Sequence, residues 1–545
     1  MSFVSTSGLT YQSGDLFVGR DGDREIGVQT DRHAITIAGS RSGKGAAVII
    51  PNLLRWPHNA LVIDPKGENA EKTYAARLAM GQAIHVIDPY EEAKEVPKQL
   101  RGAFNPLGEI DKDSLTASTD LEVIADGLVK RSDPKHAQWD DGAVSILAGL
   151  MAFTLSVAPT EEHNLMSVRR LLAETDEDLR ETAEVMMSVS EFDGLARSAA
   201  VAILTGLDSP KSMEADFIGA ARRHTKWLDK RAMRQVLEHS TFDLSDLKTG
   251  AASVYLVLPP DYLENDGAFL RLFVRCAISA MARGGSGKGN ECLFILDEFY
   301  SLGKMDVIQK SSGSMPSYGV HLWPFMQDLG QLLVTYGTEG AETFFANADL
   351  HQFFGNADSL TLNHVSMRLG TKTTNEVAMP NAPSAPISSG ASMGRGLASL
   401  GGYSKDRYLQ GSAGVLGGLL AAGEGAFQSA RQADYADEMQ YYQQQMQLAM
   451  SEIGTPRYPP DQIAKLVQQR PKEVAPYLIN FVAGVGAVLV KPAPYFVSYE
   501  VAAKPSSHAV AGRQGNTIFD HPDFSKWVWG ILACLLLFGA IAGSQ

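Results

Sequence analysis

The stretch from His33 to Pro51 reads HAITIAGSRSGKGAAVIIP, and it decides the fold expected of the chain around it. A short apolar, β-branched run ends at Ala38, a glycine-rich turn follows, and an apolar helix begins at Lys44. In this order of strand, glycine turn and helix, backbone N–H groups and a helix N-terminus bind phosphate. The stretch therefore predicts a nucleotide-phosphate loop at the end of a buried strand.

The residues of this loop fit phosphate binding, with two departures from the usual pattern. Ala38, four residues, Gly43 and Lys44 reproduce the P-loop spacing, with alanine in place of the first glycine. Lys44 supplies a cation for the outer phosphates, and Gly45 stands where a serine or threonine usually binds Mg²⁺. The predicted nucleotide-binding residues are Gly39, Ser40, Arg41, Ser42, Gly43, Lys44 and Gly45. The alternative is a glycine turn with a surface lysine.

A second stretch, Glu291 to Gly303 (ECLFILDEFYSLG), supplies acidic groups. The apolar run Leu293 to Leu296 ends directly in Asp297 and Glu298. A buried strand that delivers two carboxylates at its C-terminal edge suits Mg²⁺-dependent hydrolysis of a nucleoside triphosphate. We expect Asp297 to bind the metal and Glu298 to polarise the attacking water. The alternative is a solvated acidic turn, but the two stretches together predict an NTPase.

A further site residue follows the strand predicted from Gly319 to Met326. Gln327 stands at the end of this strand, where it could sense the γ-phosphate or orient water; the alternative is a surface amide. The strand predicted from Ala60 to Asp64 also ends at the edge where ligands bind in parallel sheets. Asp64 and Glu68 therefore either touch the nucleotide site or form a plain turn.

Length, charge and cysteine content set limits on the protein as a whole. A chain of 545 residues exceeds the size of a single hydrophobic core, so more than one domain is expected. The net charge of −14 argues against a protein that coats nucleic acid through its overall field, although it leaves room for a local basic channel. Cys276, Cys292 and Cys534 show no metal-binding spacing, which favours a reducing compartment.

Apolar runs of strand length alternate with helical patterns, which predicts an α/β fold with a mostly parallel sheet. The pattern becomes purely helical from about Asp111 to Ser245, which indicates an inserted all-helical domain. The nucleotide-binding domain is predicted in two parts, residues 1–110 with the P-loop and residues 246–375 with the Asp-Glu motif and Gln327, and the helical insertion at 111–245 separates them. A Gly/Ala/Ser/Gln-rich insertion is predicted at 376–454. The C-terminal part of the ATPase domain follows at 455–523 and a membrane anchor at 524–545.

Within the helical insertion, basic residues surround Trp227. Arg223, Lys226, Lys230 and Arg234 are spaced by three and four positions, which predicts one basic face of a single helix. Such a face either binds phosphates or an acidic protein surface, or is simply solvated.

The stretch Trp527 to Ala542 (WVWGILACLLLFGAIA) is apolar, uncharged and preceded by Lys526. As a helix it would measure about 24 Å, short of a typical hydrocarbon core of ~30 Å but enough for a thin or adapted bilayer. It predicts a C-terminal transmembrane anchor that leaves the bulk of the protein in the cytoplasm. The alternative is a buried or partner-binding helix.

These motifs resemble those of the type IV coupling proteins, the ATPases that feed substrates into conjugation and type IV secretion channels. The resemblance covers roughly residues 30–375 and rests on GSRSGKG, VIIPNLLRWP, VIDPKGEN, IDPY, FNPLG, Trp139-Asp140-Asp141, FDLSDLKTGAASVYLVLPPDYL, FILDEFYSLGKM and YGVHLWPFMQDLGQLLVTYG.

The resemblance implies a RecA-like ATPase sheet with an inserted helical domain, assembled as a hexameric ring at the bacterial inner membrane. It assigns Lys44 as the phosphate-loop lysine, Asp297 as the metal ligand, Glu298 as the catalytic acidic residue and Gln327 as the sensor. ATP and Mg²⁺ are the implied ligands. The implied partners are secretion-channel components, DNA or relaxase-bound DNA, and effector proteins. Family members usually carry two transmembrane helices before the ATPase domain, whereas here the apolar stretch stands at the C-terminal end.

Two other functions remain open from the sequence. One is a pump for double-stranded DNA that is not tied to a secretion channel. The other is a receptor for secreted proteins whose nucleotide cycle switches docking. DNA-stimulated ATPase activity that weakens steeply with salt would favour a DNA substrate, and turnover indifferent to DNA would favour the receptor.

Overall fold

The computed structural model describes residues 3–131, 137–283, 285, 290–370, 456–468 and 474–496. The predictions for residues 376–454 and for the apolar stretch from Trp527 to Ala542 lie outside these residues. The described residues up to Tyr495 form one compact unit, whose buried apolar side chains make up two hydrophobic clusters.

A large sheet forms the centre of this unit. Its strands are β3 (His33–Ala38), β4 (Asn59–Ile63), β5 (Ala83–Ile87), β6 (Ala252–Leu256), β7 (Cys292–Leu296), β8 (Val320–Met326), β9 (Ala348–Phe354), β10 (Leu478–Val482) and β11 (Gly486–Val490), and a separate antiparallel hairpin consists of β1 (Leu16–Asp21) and β2 (Arg24–Val28). The nine strands are arranged in the order β11-β10-β9-β3-β8-β7-β4-β6-β5. All neighbours from β9 to β5 are parallel, and β10 and β11 are antiparallel additions at one edge. The mixed α/β fold with a mostly parallel sheet is therefore confirmed.

The inner strands are mostly apolar and buried throughout because both faces of the sheet are covered. Every residue of β3, β4, β7 and β8 is buried. This is why the strands that carry the candidate site could be recognised from the sequence by their lack of alternation.

The α-helices surround this sheet and extend away from it. Those in the described residues are α1 (Ile50–Leu53), α2 (Glu68–Ala79), α3 (Ala117–Leu128), α4 (Ala137–Val157), α5 (Leu165–Ala173), α6 (Asp176–Met186), α7 (Leu195–Asp208), α8 (Met213–Thr225), α9 (Arg231–Leu237), α10 (Asp246–Thr249), α11 (Pro260–Asp266), α12 (Ala268–Arg283), α13 (Asp306–Ser311), α14 (Leu329–Ala346), α15 (Ser359–Leu369) and α16 (Pro460–Val467).

Helices α3 to α9 follow one another between β5 and β6, and α4 lies at their centre, packed against α3, α5, α7 and α8. Among the described helices, α4 alone is long and apolar enough to cross a membrane. Most of α4 is buried by its neighbours, which is the position of a core helix.

One sequence expectation about secondary structure is wrong. The single basic helix does not exist, because α8 ends at Thr225 and the short 3₁₀ turn Lys226–Asp229 separates it from α9. Trp227 is buried in that turn, and Lys230 after it forms an ion pair with Asp266 at 2.5 Å. The supposed face is therefore split between two helices and a turn.

Strand β10 was not among the strands predicted from the sequence. The sequence of β10, LINFV, has a polar residue in its middle. Asn480 is fully buried and accepts a hydrogen bond from Gln352 Nε2 on β9 at 2.9 Å. From the sequence alone, a buried asparagine whose amide bonds to the neighbouring strand looks the same as an asparagine in a loop.

Candidate nucleotide-binding site

The carboxyl ends of parallel strands lie at the same edge of a sheet, where α/β proteins bind their ligands. Four neighbouring strands, in the order β3-β8-β7-β4, all end at this edge. The phosphate loop leaves β3, Gln327 follows β8, Asp297 follows β7 and Asp64 follows β4. The fold thus brings together residues separated by more than 250 positions in the sequence.

Lys44 lies between the two carboxylates that follow β7. Its Nζ is 3.3 Å from Oδ1 of Asp297 and 3.5 Å from Oε1 of Glu298. The side chain of Lys44 is only 12% exposed, and its Nζ makes no hydrogen bond of good geometry to any described residue. The lysine therefore forms two ion pairs and retains N–H donors for another anion.

The glycines of the phosphate loop are required by its close packing. A Cβ on Gly39 would lie 2.0 Å from the carbonyl oxygen of Gly355, which follows β9. Gly43 has a φ of +91°, and a Cβ there would lie 2.9 Å from Val474. Arg41 also has a positive φ, 61°, and its side chain is exposed at the tip of the loop. The loop is thus compressed between the end of β9 and the segment that leads into β10.

The end of the loop opens the helix that the phosphate site needs. A π-helical turn, Gly45–Ile49, continues directly into α1 with Lys44 as its N-cap. Ser42 is buried, and its Oγ finds no hydrogen-bond partner in the described parts of the chain. The helix N-terminus and this free hydroxyl are groups that bind a phosphate oxygen.

The electrostatics of the edge favour a bound cation. Burial raises the pKa of Asp297, and the charge of Glu298 raises it further, whereas Lys44 opposes both effects. Burial, together with the charge of Asp297, raises the pKa of Asp64 to about 7, although backbone N–H groups stabilise its anion. One of these, the N–H of Ala70, donates to Asp64 Oδ2 at 2.8 Å. Asp64 therefore fits both alternatives given by the sequence, because its carboxylate closes a turn and also lies near Asp297.

Glu298 and Gln327 contact each other across β7 and β8. Gln327 Nε2 donates to Glu298 Oε2 at 3.4 Å. Glu298 has φ 58° and ψ 45°, a left-handed conformation that costs a non-glycine residue of its kind about 1–2 kcal/mol. Backbone strain of this sort is concentrated at functional sites, because the surrounding fold must hold it in place.

The residues present fit a nucleotide with Mg²⁺. The described residues contain no cluster of three or more His, Cys, Asp or Glu side chains that could hold a metal by themselves. Mg²⁺ at phosphate sites usually takes one or two carboxylates and completes its shell with phosphate oxygens and water. Asp297 can supply such a carboxylate, and Lys44 and the N-terminus of the Gly45–Ile49 turn are groups of the kind that bind phosphate.

Sequence reasoning missed two residues at this edge. Asn69, the second residue of α2, is buried, and its Oδ1 would be 3.9 Å from a Cβ placed on Gly45. Asn356, which follows β9, is 1% exposed and donates to the backbone carbonyl of Gln327. The only signal for either was its position just beyond a strand or turn at the carboxyl edge.

A family model described as Type IV secretory system Conjugative DNA transfer matches residues 3–391 of the sequence. The chain belongs to this family. Within it, the chain is similar to the Probable conjugal transfer protein TraG of Sinorhizobium fredii, with 28% identity over 349 residues, which are 63% of this chain and 52% of that protein. Protein VirD4 of Agrobacterium fabrum is 27% identical over 353 residues, 63% of this chain and 50% of that protein. The chain spans about half the length of the curated relatives it matches.

Solved structures of coupling proteins have a fold similar to that of this chain. The trigonal form of the bacterial conjugative coupling protein TrwBdeltaN70, in complex with sulphate, has a TM-score of 0.51 at 15% identity and covers 67% of this chain and 80% of its own. Plasmid coupling protein TrwB in complex with the ATP analogue ADPNP has a TM-score of 0.50 at 16% identity, covering 68% and 82%. At this identity the likeness concerns the fold alone.

Proposed function

We propose that this chain is the ATPase part of a type IV coupling protein. It binds ATP with Mg²⁺ at the carboxyl edge of its sheet and uses hydrolysis to deliver DNA–protein or protein substrates to a type IV secretion channel. Family membership supports the transport role, and the residues at the carboxyl edge support the chemistry. The same proposal includes a ring of identical subunits, with six as the expected number, at the cytoplasmic face of the inner membrane.

The observation that carries the proposal is the position of Lys44 between Asp297 and Glu298, at 3.3 and 3.5 Å. These three groups come from two parts of the sequence that meet only through the parallel pairing of the sheet. Phosphoryl transfer requires mainly positioning and charge neutralisation. In this proposal the cation of Lys44 lies within 3.5 Å of both the metal-binding carboxylate and the general base.

Each side chain then has a separate task. Lys44 binds the outer phosphate oxygens, together with the backbone N–H groups from Gly39 to Gly45. Glu298 accepts a hydrogen bond from the attacking water, and Gln327 holds the Glu298 carboxylate in place. Asp297 holds the Mg²⁺ ion, which when bound neutralises charge on the phosphates.

The ATPase rate of the purified full chain tests this chemistry. Lys44→Ala should reduce turnover to background while the protein keeps its fold, because the phosphates lose their cation. The matched control is Lys72→Ala on α2, a lysine whose side chain pairs with Glu95 at 3.1 Å on the surface. We expect that variant to retain the wild-type rate. Wild-type turnover by Lys44→Ala would refute the assignment of the site.

The cargo is tested by the same assay with DNA. Single- or double-stranded DNA that stimulates turnover, with stimulation lost as salt rises, would support delivery of nucleic acid, since phosphate contacts release counterions. Stimulation by duplex DNA alone, in a protein with no measurable affinity for channel components, would favour a free-standing DNA pump. A rate indifferent to DNA would favour the receptor for secreted proteins.

A further inference from the structure

Asn356 lies where the phosphate loop meets the ends of β8 and β9, the strands that precede Gln327 and Asn356. Strand β3 stands between β9 and β8 in the sheet. Ala38 at its end is paired with Phe354 of β9, and Ile37 is paired with Met326 of β8. A side chain that starts after β9 and reaches the end of β8 must therefore cross the end of β3, where the phosphate loop begins.

Asn356 makes this crossing. Its Nδ2 donates to the backbone carbonyl oxygen of Gln327 at 3.3 Å. A carbonyl only accepts hydrogen bonds, so this contact fixes the orientation of the amide. The Oδ1 of Asn356 is then directed elsewhere; it is buried and has no hydrogen-bond partner among the residues that the structure describes.

The residue before Asn356 is in contact with the phosphate loop. Gly39 N–H donates to the carbonyl of Phe354 at 3.1 Å, and a Cβ on Gly355 would lie 2.2 Å from the Cβ of Ser42. The Oγ of Ser42 is also buried and unpaired within the described chain. A shift of the phosphate loop therefore moves Gly355, and with it Asn356, because these backbones have no free space between them.

Unpaired buried polar atoms are rare in folded proteins, since each costs about 1–3 kcal/mol. Two of them, Asn356 Oδ1 and Ser42 Oγ, are retained on either side of the Gly355 contact. A bound ligand or water that donates hydrogen bonds to these two oxygens would satisfy both.

We propose that Asn356 is a positioning residue that couples the phosphate loop to Gln327. It holds the Gln327 carbonyl, and through it the amide that contacts Glu298, in register with the phosphate loop. The inference rests on the proposed ATPase function and adds to it a residue outside the predicted loop, acidic pair and sensor.

Steady-state kinetics of three variants test the proposal. Asn356→Ala should reduce kcat about 10- to 100-fold and change KM for ATP less than about threefold, because displacement of a catalytic group by a fraction of an ångström impairs the reaction more than it impairs binding. Asn356→Asp keeps the size of the side chain but lacks the amide donor, and should reduce kcat similarly. The double variant Asn356→Ala/Gln327→Ala should be no slower than Gln327→Ala alone, since both act through the same amide.

Thr361→Val is the matched control. Thr361 is fully buried and its Oγ1 accepts from the N–H of Leu329 at 3.0 Å, two residues beyond Gln327. The Thr361→Val variant therefore removes a comparable buried hydrogen bond nearby and leaves the Gln327 carbonyl in place. Its kcat should stay within about threefold of the wild type.

The outcomes separate this inference from the proposed function. Wild-type kcat in Asn356→Ala, an equal loss of kcat in Thr361→Val, or multiplied losses in the double variant would each overturn the positioning role while leaving the ATPase intact. A wild-type protein without ATP turnover would overturn the proposed function, and the positioning role with it.

Discussion

Gln327 Nε2 and Glu298 Oε2 are 3.4 Å apart at the carboxyl ends of two neighbouring parallel strands. The other oxygen of the same carboxylate, Oε1, is 3.5 Å from Lys44 Nζ. The Glu298 carboxylate thus contacts two groups that follow different strands, the neutral amide of Gln327 after β8 and the cationic Lys44 after β3. This places the proposed general base between the phosphate-binding lysine and the proposed sensor.

The backbone of Glu298 predicts a trade-off between stability and activity. Its φ of 58° is costly for any residue with a Cβ and free for glycine. Glu298→Gly and Glu298→Ala both remove the carboxylate, so both should be inactive. The glycine variant should nevertheless be the more stable of the two by about 1 kcal/mol in urea unfolding, because it relieves the left-handed strain. Equal stability, or a more stable alanine variant, would mean that this backbone conformation carries no strain.

Arg77 on α2 is predicted to be a main support of the phosphate-loop helix. It is fully buried, and its guanidinium donates to Ser253 Oγ and to the backbone carbonyls of Leu53, Trp56 and His58, at and beyond the end of α1. Arg77→Met keeps the apolar stem but leaves three carbonyls without their donor, which should lower the free energy of unfolding by at least about 3 kcal/mol.

Arg223→Met is the control for Arg77→Met. Arg223 is an exposed arginine on α8, and its replacement should change stability by less than about 0.5 kcal/mol. A small effect at both positions would mean that the α1 carbonyls find other donors.

His364 on α15 predicts a loss of stability in acid. It is buried between Phe345 and Phe353, with ring centroids 5.1 and 5.8 Å away. Burial, assisted by the charge of Arg368, lowers the pKa of His364 to about 3. Between that pKa and the unfolded value of about 6.5, the unfolded chain binds a proton that the folded chain does not. Stability therefore falls as pH drops below 6.5.

His364→Leu removes this proton uptake. Between pH 7 and pH 5 the wild type should lose up to about 2 kcal/mol more than the variant. His239→Leu, at an exposed position, should leave the pH dependence unchanged. Identical pH profiles for wild type and His364→Leu would show that the ring is charged or solvated in the folded protein. Chemical denaturation at fixed ionic strength measures all three.

The sheet could be predicted because its inner strands are mostly apolar and are followed by charged, polar or glycine residues. The run before Asp297 and the run before Gly39 needed no tertiary information to be recognised. Strand β10 was missed, because the amide of Asn480 in its middle is satisfied by Gln352 on another strand. The break between α8 and α9 was also missed, because contacts such as the ion pair of Lys230 with Asp266 join positions far apart in the chain.

The candidate site was predictable in its residue types but not in its contacts. Lys44, Asp297, Glu298 and Gln327 follow from motif chemistry at strand ends. Strand order decides which of them are neighbours, and order cannot be derived from local patterns. Asn356 shows the consequence, since its contact with Gln327 exists only because β9, β3 and β8 are adjacent in that order.

The most direct test of the ATPase assignment measures binding and turnover separately in Glu298→Gln. The change keeps the shape of the side chain and removes the charge that activates water. We predict that the full-length variant binds Mg²⁺-ATP with an affinity within about threefold of the wild type, while its turnover falls by at least about 100-fold. Turnover at the wild-type rate would contradict the role of Glu298 and place the hydrolytic base elsewhere.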